Sequence, residues 1–401
     1  MFQKIISTAN FRLAYFQIID QFAADRKNFK YHGLDNLLLK DYDLNSDKLI
    51  ALAQEELIQR KEITPALAVK IPKKNNPEKL REIFIYNLKE RLKAQAISQV
   101  LLPEFEKHFS DRLFSYRPGK PPYLAAKNFG RRYRRSFSSD QALIVDLANY
   151  SDLIDKQILL AQLKEIFSDA DVLDVLRLFI FNSVYRDGII QKPTKGLVQG
   201  VPLIALFANL YLTDLDFKYQ SLVPFYIRVG DDIALLDKRS EKLEKLKKDL
   251  VADLQAKKLV VNERKLYLGP ASANFSFLGY NFHDGLISLE KSFVRKTELN
   301  WKRILVYKNS SDKRKDYLLR KIMAGPKNNY NFQFQKIVKD KSQINDSEQI
   351  IKLSETFFRI LTKFFYLRYS PRRRRLLEAR IKDLGIKSLY SFYTKFHYER
   401  D

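Results

Sequence analysis

Three aspartates on apolar segments are the residues in this sequence best suited to bind a divalent cation. Asp231 and Asp232 lie between two β-prone runs, Phe225 to Val229 and Ile233 to Leu236, which predicts a hairpin with both carboxylates at its tip. Like charges in a buried hairpin repel each other, and Mg²⁺ would relieve the conflict while leaving positions for water and phosphate oxygens. For the Gly-Asp-Asp tripeptide alone, a solvated turn is the alternative interpretation.

The third carboxylate, Asp146, closes the apolar run Ala142 to Leu147, which predicts a buried strand leading into a helix. Strands that are distant in sequence can pair side by side, so Asp146 can meet Asp231. Two strand-borne acids can hold a pair of cations ~4 Å apart, the spacing that two-metal phosphoryl transfer uses.

Two further segments have the composition of nucleotide contacts. A basic loop between predicted strands at Thr64 to Ile71 and Arg81 to Tyr86 places Lys79 and Arg81 where they could reach a triphosphate. An ordinary charged hairpin is the alternative. Lys195 to Leu203 contains two glycines and a proline, so its backbone can approach a flat ligand closely. Gln199 could then touch a sugar or base, although alone it is also typical of an ordinary loop.

The net charge indicates a polyanionic partner. The 401-residue chain carries a formal charge of +25, and 13% of its residues are aromatic, a combination that favours phosphate binding and base stacking. An anionic membrane surface would also attract this charge. The densest basic clusters surround Tyr133 and follow Pro371, where the chain becomes helical and basic. Their arginines are Arg131, Arg132, Arg134 and Arg135, and Arg372, Arg373, Arg374 and Arg375.

Composition also excludes several classes of protein. The chain has no cysteine, which excludes disulfides and thiolate metal sites, and its four histidines show no paired ligand spacing. The longest nearly apolar run, Val201 to Leu212, is too short to cross a bilayer. We therefore expect a cytoplasmic protein with no membrane partner.

In this order the segments resemble a reverse transcriptase, and the resemblance extends from about Pro65 to Tyr280. The pattern is most similar to prokaryotic enzymes of the group II intron, retron and defence-associated lineages. The segments that carry the resemblance are Tyr116 to Gly119, Asp146 to Asp155, Gly196 to Leu203 with Asn209, Val229 to Asp232, Asn262 with Lys265, and Phe277 to Tyr280.

The resemblance implies an α+β right-hand polymerase with fingers, palm and helical thumb. The expected domains are the fingers with an N-terminal extension at 1–140, a palm of antiparallel sheet packed on helices at 141–288, and a basic thumb at 289–401. Part of the fingers would be inserted between the first palm motifs.

The resemblance also implies roles for individual residues. Asp146, Asp231 and Asp232 would be catalytic and, with Leu147, would bind two Mg²⁺ ions, with Mn²⁺ as an alternative. Phe277, Leu278, Gly279 and Tyr280 would form the primer grip. The expected nucleotide contacts are Lys79, Arg81, Tyr150, Ser151, Gln199, Gly200 and Lys265. The expected nucleic-acid contacts are Arg117 and the eight arginines of the two basic clusters.

The implied activity is RNA-directed DNA polymerisation by primer extension. Expected partners are a structured noncoding RNA template, a DNA primer or product, and nucleoside triphosphates, in antiviral defence; a second subunit or protein partner stays open. Ser151 stands where relatives carry a bulky ring against the ribose 2′-OH, which leaves ribonucleotide discrimination open unless Tyr150 replaces that ring. Ser151, together with 22 tyrosines that could serve as primers, keeps untemplated, protein-primed or RNA synthesis as one alternative, and an inactive RNA-binding scaffold is another.

Overall fold

The structure is a computed structural model, and it describes residues 1–24, 32–37, 46–73, 76–304, 343–366 and 368–383. The chain divides into two compact units. The first unit combines residues 1–125 with 141–269, and the second combines 126–140 with 270–401. The predicted finger, palm and thumb boundaries do not coincide with these units and stay a prediction.

The first unit begins with helices that pack around a long central helix. The helices before the first sheet are α1 (Phe2–Ile5), α2 (Thr8–Ala24) and α3 (Ser46–Ile58). The central helix α4 (Leu88–His108) runs through Pro103 without a break. Proline removes one backbone hydrogen bond, but Leu101 and Phe105 on either side are fully buried, and this packing offsets the loss.

A four-stranded sheet follows in the order β2-β1-β4-β5. Its strands are β1 (Ala66–Lys73), β2 (Asn76–Ile85), β4 (Val184–Arg186) and β5 (Ile189–Gln191). Strands β1 and β2 pair antiparallel, with a register shift at Pro72/Lys73. The loop is shorter than predicted, because β2 already begins at Asn76 and includes Lys79. Arg81 lies on this strand, as the sequence predicts.

The second sheet of the first unit has the order β6-β7-β3-β8. Its strands are β3 (Gln141–Asp146), β6 (Phe225–Val229), β7 (Asp232–Asp237) and β8 (Tyr267–Pro270). The helices of this part are α6 (Tyr150–Leu153), α7 (Lys156–Ile166), α8 (Ala170–Ile180), α9 (Pro202–Tyr211), α10 (Thr213–Leu222) and α11 (Ser240–Ala256). Leu243, Leu246, Leu250 and Leu254 form the buried stripe of α11, as their helical spacing predicts.

The second unit has an aromatic core. It contains most of α5 (Pro122–Ser136), the antiparallel strands β9 (Phe275–Phe277), β10 (Tyr280–His283) and β11 (Leu286–Leu289), and the helices α12 (Lys291–Ile304), α13 (Ser347–Tyr366) and α14 (Pro371–Asp383). The rings of Phe129 and Tyr133 each lie 4.9 Å from the ring of Phe282. Trp301 and Phe357 join α12 to α13 with ring centroids 4.8 Å apart.

None of the helices in the described ranges combines enough length with enough apolar character to cross a membrane.

Candidate active site

The three candidate carboxylates meet at one end of the β6-β7-β3-β8 sheet. Asp146, the last residue of β3, lies directly opposite Asp232, the first residue of β7. Val229 also pairs with Asp232, which leaves Gly230 and Asp231 as a two-residue hairpin loop. The Leu147 N–H donates to the Asp231 carbonyl at 3.2 Å. The predicted hairpin and the meeting of the distant acids are therefore present in the structure.

Two residues from the segment before β8 hold the Asp146 carboxylate. The Asn262 side-chain amide donates to Asp146 Oδ1 at 2.8 Å, and the Lys265 ammonium donates to Oδ2 at 2.6 Å. The Asn262 N–H also donates to the Asp146 carbonyl at 2.8 Å. Val261 forms an isolated bridge with Leu147, and a turn from Asn262 to Lys265 follows it. This turn brings both side chains onto Asp146.

The charged groups at this site shift one another's pKa values. Desolvation by the surrounding protein, and then the Asp146 charge, raise the pKa of Asp231 above its ordinary value. Desolvation lowers the pKa of Lys265, but its bond to Asp146 and the charges of Asp146, Asp232 and Asp231 outweigh this and raise it. One ammonium group thus lies in the combined field of all three carboxylates.

The donor set fits a divalent cation. Carboxylate oxygens are the hard ligands that Mg²⁺ prefers, and the Lys265 ammonium shows that positive charge is favoured beside them. Within the described part of the chain, no group of three or more His, Cys, Asp or Glu side chains is arranged as a ready metal site. Asp146 makes bonds within the protein instead. Leu147 is buried and could offer only its main-chain carbonyl.

The predicted nucleotide contacts at Ser151, Gln199 and Gly200 lie on connected segments. Leu197 N–H donates to the Ser151 carbonyl, and Gly196 N–H donates to the Ile154 carbonyl, both at 2.8 Å. On the other side, a Cβ at Gly200 would lie 2.7 Å from the Phe84 carbonyl of β2, and φ there is +125°. Gln199 is exposed on this tightly held loop. Glycine at 200 therefore permits a close approach to the strand that carries Arg81.

Tyr150 and Ser151 have different surroundings. Tyr150 is buried, and its hydroxyl donates to the Ala208 carbonyl at 2.5 Å. Ser151 is half-buried. Because α9 holds the Tyr150 hydroxyl within the core, this hydroxyl is not available to a nucleotide. That the Tyr150 ring contacts nucleotide, or replaces a bulky ring at 151, stays a prediction.

Arg81 is exposed on β2. Glu82 belongs to the opposite face and pairs with Arg186 of β4 at 2.6 Å. The charge of Glu82, after desolvation, raises the pKa of Asp152. The geometric link between the Ser151 turn and the β1–β2 hairpin is the loop that is bonded to Ser151 at Leu197 and lies against Phe84 at Gly200.

A buried polar network that the sequence analysis missed holds the hairpin loop. The Arg228 guanidinium donates to both Asp216 oxygens, at 2.7 and 2.6 Å, and to the Gly230 carbonyl at 3.1 Å. Ser115 Oγ accepts from the Gly230 N–H at 3.1 Å and donates to Asn209 Oδ1 at 2.9 Å. Both main-chain groups of the residue before Asp231 are therefore held. An arginine inside an apolar strand was the available signal, because a buried charge requires a partner.

The structure contradicts the prediction that Arg117 contacts nucleic acid. Arg117 is 8% exposed, and its guanidinium donates to both Glu106 oxygens, from Nε to Oε1 at 3.1 Å and from Nη2 to Oε2 at 2.7 Å. It also donates to the carbonyls of Ser110 and Leu113. Its donors are engaged in holding this turn, so few remain for a phosphate.

The two basic clusters are only partly accessible. Arg132 pairs with Asp140 at 2.7 Å, and Arg134 donates to Gln343. In α14, Arg374 donates to Glu378 at 2.9 Å. These three arginines contact other residues of the protein, which contradicts the prediction that they serve only to bind nucleic acid. The exposed arginines of the clusters are Arg131, Arg134, Arg135, Arg372 and Arg375, and Arg373 is half-buried.

The segment predicted as primer grip forms the β9–β10 hairpin of the second unit. Phe277 pairs with Tyr280, and both side chains are buried. Leu278 and Gly279 form the two-residue turn, with φ of +51° and +77°. The rings of Phe277 and Tyr280 thus belong to the core, and only the turn between them can touch a ligand.

Comparison with known proteins agrees with this arrangement. The profile of the reverse transcriptase (RNA-dependent DNA polymerase) family matches residues 71–282, more than half of the 401-residue chain. The chain belongs to this family. The membership confirms the predicted family, the α+β right-hand fold class and the enzyme class, a nucleotidyltransferase. The reverse transcriptase match includes all three carboxylates and Lys265.

Individual relatives are more distant. Protein YkfC of Escherichia coli (strain K12) is 25% identical over 154 residues, which is 38% of this chain and 40% of that protein. The match therefore spans about two-fifths of the curated relative. Telomerase from Candida albicans, solved with a TWJ fragment of telomeric RNA, has a TM-score of 0.47 and 12% identity, covering 85% of this chain and 68% of that one. Apo telomerase from Candida tropicalis has a TM-score of 0.47 and 15% identity, covering 81% and 65%.

Proposed function

We propose that this reverse transcriptase extends a DNA primer on an RNA template at the carboxylate end of the β6-β7-β3-β8 sheet. The observation that carries the proposal is that Asp146 lies opposite Asp232, with Asp231 in the adjoining hairpin loop. The Lys265 ammonium is bonded to Asp146 at 2.6 Å. Such a concentration of negative charge at the edge of a sheet suits the binding of metal-complexed triphosphates.

Asp146 and Asp231 would share two Mg²⁺ ions, with Asp232 and the Leu147 carbonyl as supporting ligands. Ions bound there would activate the primer hydroxyl and neutralise the charge of the triphosphate. Arg81 and Lys79 would bind the β- and γ-phosphates through charge-assisted hydrogen bonds. Lys265, whose raised pKa keeps it protonated at neutral pH, holds a proton that it can donate to the leaving pyrophosphate.

The proposal extends to the partners and the domains. Residues 1–140 would be the fingers, 141–288 the palm and 289–401 the thumb, whose basic helices would bind the duplex through its phosphates. A structured noncoding RNA as template and a role in antiviral defence are supported by the sequence resemblance to solitary, defence-associated enzymes.

A second candidate, synthesis with ribonucleotides, is favoured by one observation. Ser151 leaves space in the position where relatives carry a ring, and Tyr150 is held in the core by its bond to Ala208. Nothing at these two positions would then exclude a ribose 2′-OH.

The experiment that tests the proposal is primer extension on an RNA template with dNTPs and Mg²⁺, comparing wild type with Asp231→Asn. We expect extension to fall by more than about 100-fold, because a lost ligand removes several kcal/mol of charge stabilisation. The thermal unfolding midpoint should rise slightly, since the raised pKa of Asp231 shows that its charged form is disfavoured in the folded state.

The matched control is Asp174→Asn, an exposed aspartate on α8. It should extend the primer like the wild type. Equal extension by Asp231→Asn would refute the assignment of the carboxylates, and an inactive wild type that still binds RNA would favour a scaffold.

A further inference from the structure

Tyr116 has the most exposed large apolar side chain in the described part of the chain. It is 73% exposed, whereas Ser115 before it is 2% and Arg117 after it is 8% exposed. Burial of an aromatic side chain normally contributes strongly to stability, so a ring left exposed between two buried residues gains little from the fold. The exposure of this ring therefore indicates a function other than stabilising the folded core.

The backbone at Tyr116 is unfavourable for its side chain. Its φ is +52°, in the left-handed region that a bulky residue rarely adopts and that glycine adopts freely. The bonds of the two neighbours impose this conformation. Ser115 is held by Asn209 and Gly230, and Arg117 is held by Glu106 and by the Ser110 and Leu113 carbonyls. The result is an aromatic ring presented outward from a rigid turn.

This turn is bonded directly to the catalytic hairpin. Ser115 Oγ accepts from the N–H of Gly230, the residue before Asp231, at 3.1 Å. The Cα of Tyr116 is one step, about 3.8 Å, from that of Ser115. Arg112, on the same segment, is exposed, and its carbonyl accepts from the Arg228 N–H at 2.9 Å. An exposed ring and an exposed cation thus lie on the segment that is bonded to the hairpin of Asp231 and Asp232.

We propose that Tyr116 is a stacking platform for a nucleobase of the nucleic acid bound at the carboxylate site, and this rests on the proposed polymerase function. Aromatic rings stack on bases of any sequence, and a rigid turn would let the ring bind without losing freedom. The backbone strain and the exposed ring persist because the ring serves binding rather than folding.

The test is equilibrium binding of a DNA primer annealed to an RNA template, labelled with 2-aminopurine, in EDTA so that no extension occurs. One substrate carries the probe at the primer 3′ end, and another carries it at the opposing template base. In wild type we expect the probe at the stacked position to be quenched on binding. Tyr116→Leu and Tyr116→Gly should bind about tenfold more weakly and lose that quenching. Tyr116→Phe should behave like the wild type.

Stability separates this role from a structural one. Tyr116→Gly should unfold at a temperature no lower than the wild type, because glycine relieves the positive φ, although binding weakens. Phe16→Ala, which removes a 64% exposed ring from α2, is the control and should leave binding unchanged. If Tyr116→Leu and Tyr116→Gly both bind with wild-type affinity while the wild type still extends primers, this inference is overturned and the proposed function stands. Failure of the wild type to bind or extend would overturn the proposed function as well.

Discussion

At the scale of single residues, Lys265 explains how three carboxylates coexist at one edge of a sheet. Its ammonium is bonded to Asp146 at 2.6 Å and lies within the fields of Asp231 and Asp232. Without a cation nearby, these acids would repel one another, as the raised pKa of Asp231 already indicates. The same lysine must leave Asp146 before that carboxylate can offer both oxygens to a metal ion.

Ser151 leads to a prediction about substrate choice. Introducing a ring by Ser151→Phe should lower kcat/KM for ribonucleotides by about tenfold or more relative to deoxyribonucleotides, because the ring would occupy the space beside the 2′-OH. The measurement is single-nucleotide incorporation with matched dNTP and rNTP pairs on one RNA template.

Tyr150→Phe is the control for this substitution. It removes the hydroxyl that donates to Ala208 but changes nothing beside the ribose, so the ratio of rNTP to dNTP use should stay at the wild-type value. A large change of the ratio in Tyr150→Phe, with none in Ser151→Phe, would contradict our placement of the two side chains.

At the scale of elements, the β6–β7 hairpin depends on the buried pair Arg228 and Asp216. Both side chains have no exposure, and Tyr226 donates to the same carboxylate at 2.7 Å. Arg228→Met would leave Asp216 buried without its charge partner, and we expect a loss of about 3–5 kcal/mol in the free energy of unfolding. Chemical denaturation followed by circular dichroism measures this loss.

A combined variant separates stability from activity. Replacing the pair and its tyrosine with apolar residues, in Arg228→Met with Asp216→Leu and Tyr226→Phe, should recover most of the lost stability, since no buried carboxylate or phenol hydroxyl of this network stays unpaired. Primer extension should nevertheless stay low, because the Gly230 carbonyl loses its donor. Wild-type extension by this triple variant would show that the bond does not position the hairpin.

The packing of α3 on α4 depends on pH. Burial raises the pKa of Glu56, but bonds from Lys89, Lys93 and Lys61 outweigh it and hold that pKa at about 2, below the ordinary 4.5. A depressed pKa in the folded state contributes stability above pH ~4.5, and that stability is lost as the pH falls towards 2. Over this window the unfolded state binds up to one more proton than the folded state. The free energy of unfolding of the wild type should therefore fall by up to about 1.4 kcal/mol per pH unit.

Glu56→Gln tests this pH dependence. The variant should be less stable at pH 7 by about 3 kcal/mol, because buried Lys93 keeps only Glu90 as a partner, and its acid dependence should be shallower. Urea denaturation from pH 7 to 3 provides both values. Glu55 lies on the exposed face of the same helix, so the pH dependence of the stability of Glu55→Gln should be the same as that of the wild type. An unchanged slope in Glu56→Gln would rule out Glu56 as the titrating group.

At the scale of the whole molecule, the +25 charge predicts salt-dependent binding of nucleic acid. Each phosphate neutralised releases counterions, so the logarithm of the affinity falls linearly with the logarithm of the salt concentration. Replacing the exposed Arg131 and Arg135 with glutamine should make this slope shallower by about two units if both bind phosphates. The slope is measured by fluorescence anisotropy of a labelled RNA–DNA hybrid at salt concentrations from roughly 50 to 300 mM.

Arg132→Gln is the matched control within the same cluster. Because Arg132 pairs with the buried Asp140, its loss should lower the unfolding midpoint and leave the salt slope unchanged. The opposite result, a shallower slope with unchanged stability, would mean that this ion pair opens to bind phosphate.

Much of the site could be predicted from the sequence, because its signals are local. The hairpin with Asp231 and Asp232 follows from two apolar runs around a glycine, and the helix over Leu243 to Leu254 follows from its spacing. The strand that ends in Asp146 follows from its continuous apolar run. Local patterns determine such elements because each depends on neighbours a few residues away.

Only the tertiary structure decided which charged groups face the ligand and which hold the fold. Arg117 and Arg132 look like phosphate contacts in the sequence, yet Glu106 and Asp140 bind them. Tyr150 and Ser151 are adjacent, yet one is bonded into the core and the other is half-buried. The physical reason is that a buried polar group must find a partner, and those partners come from segments that only folding brings together.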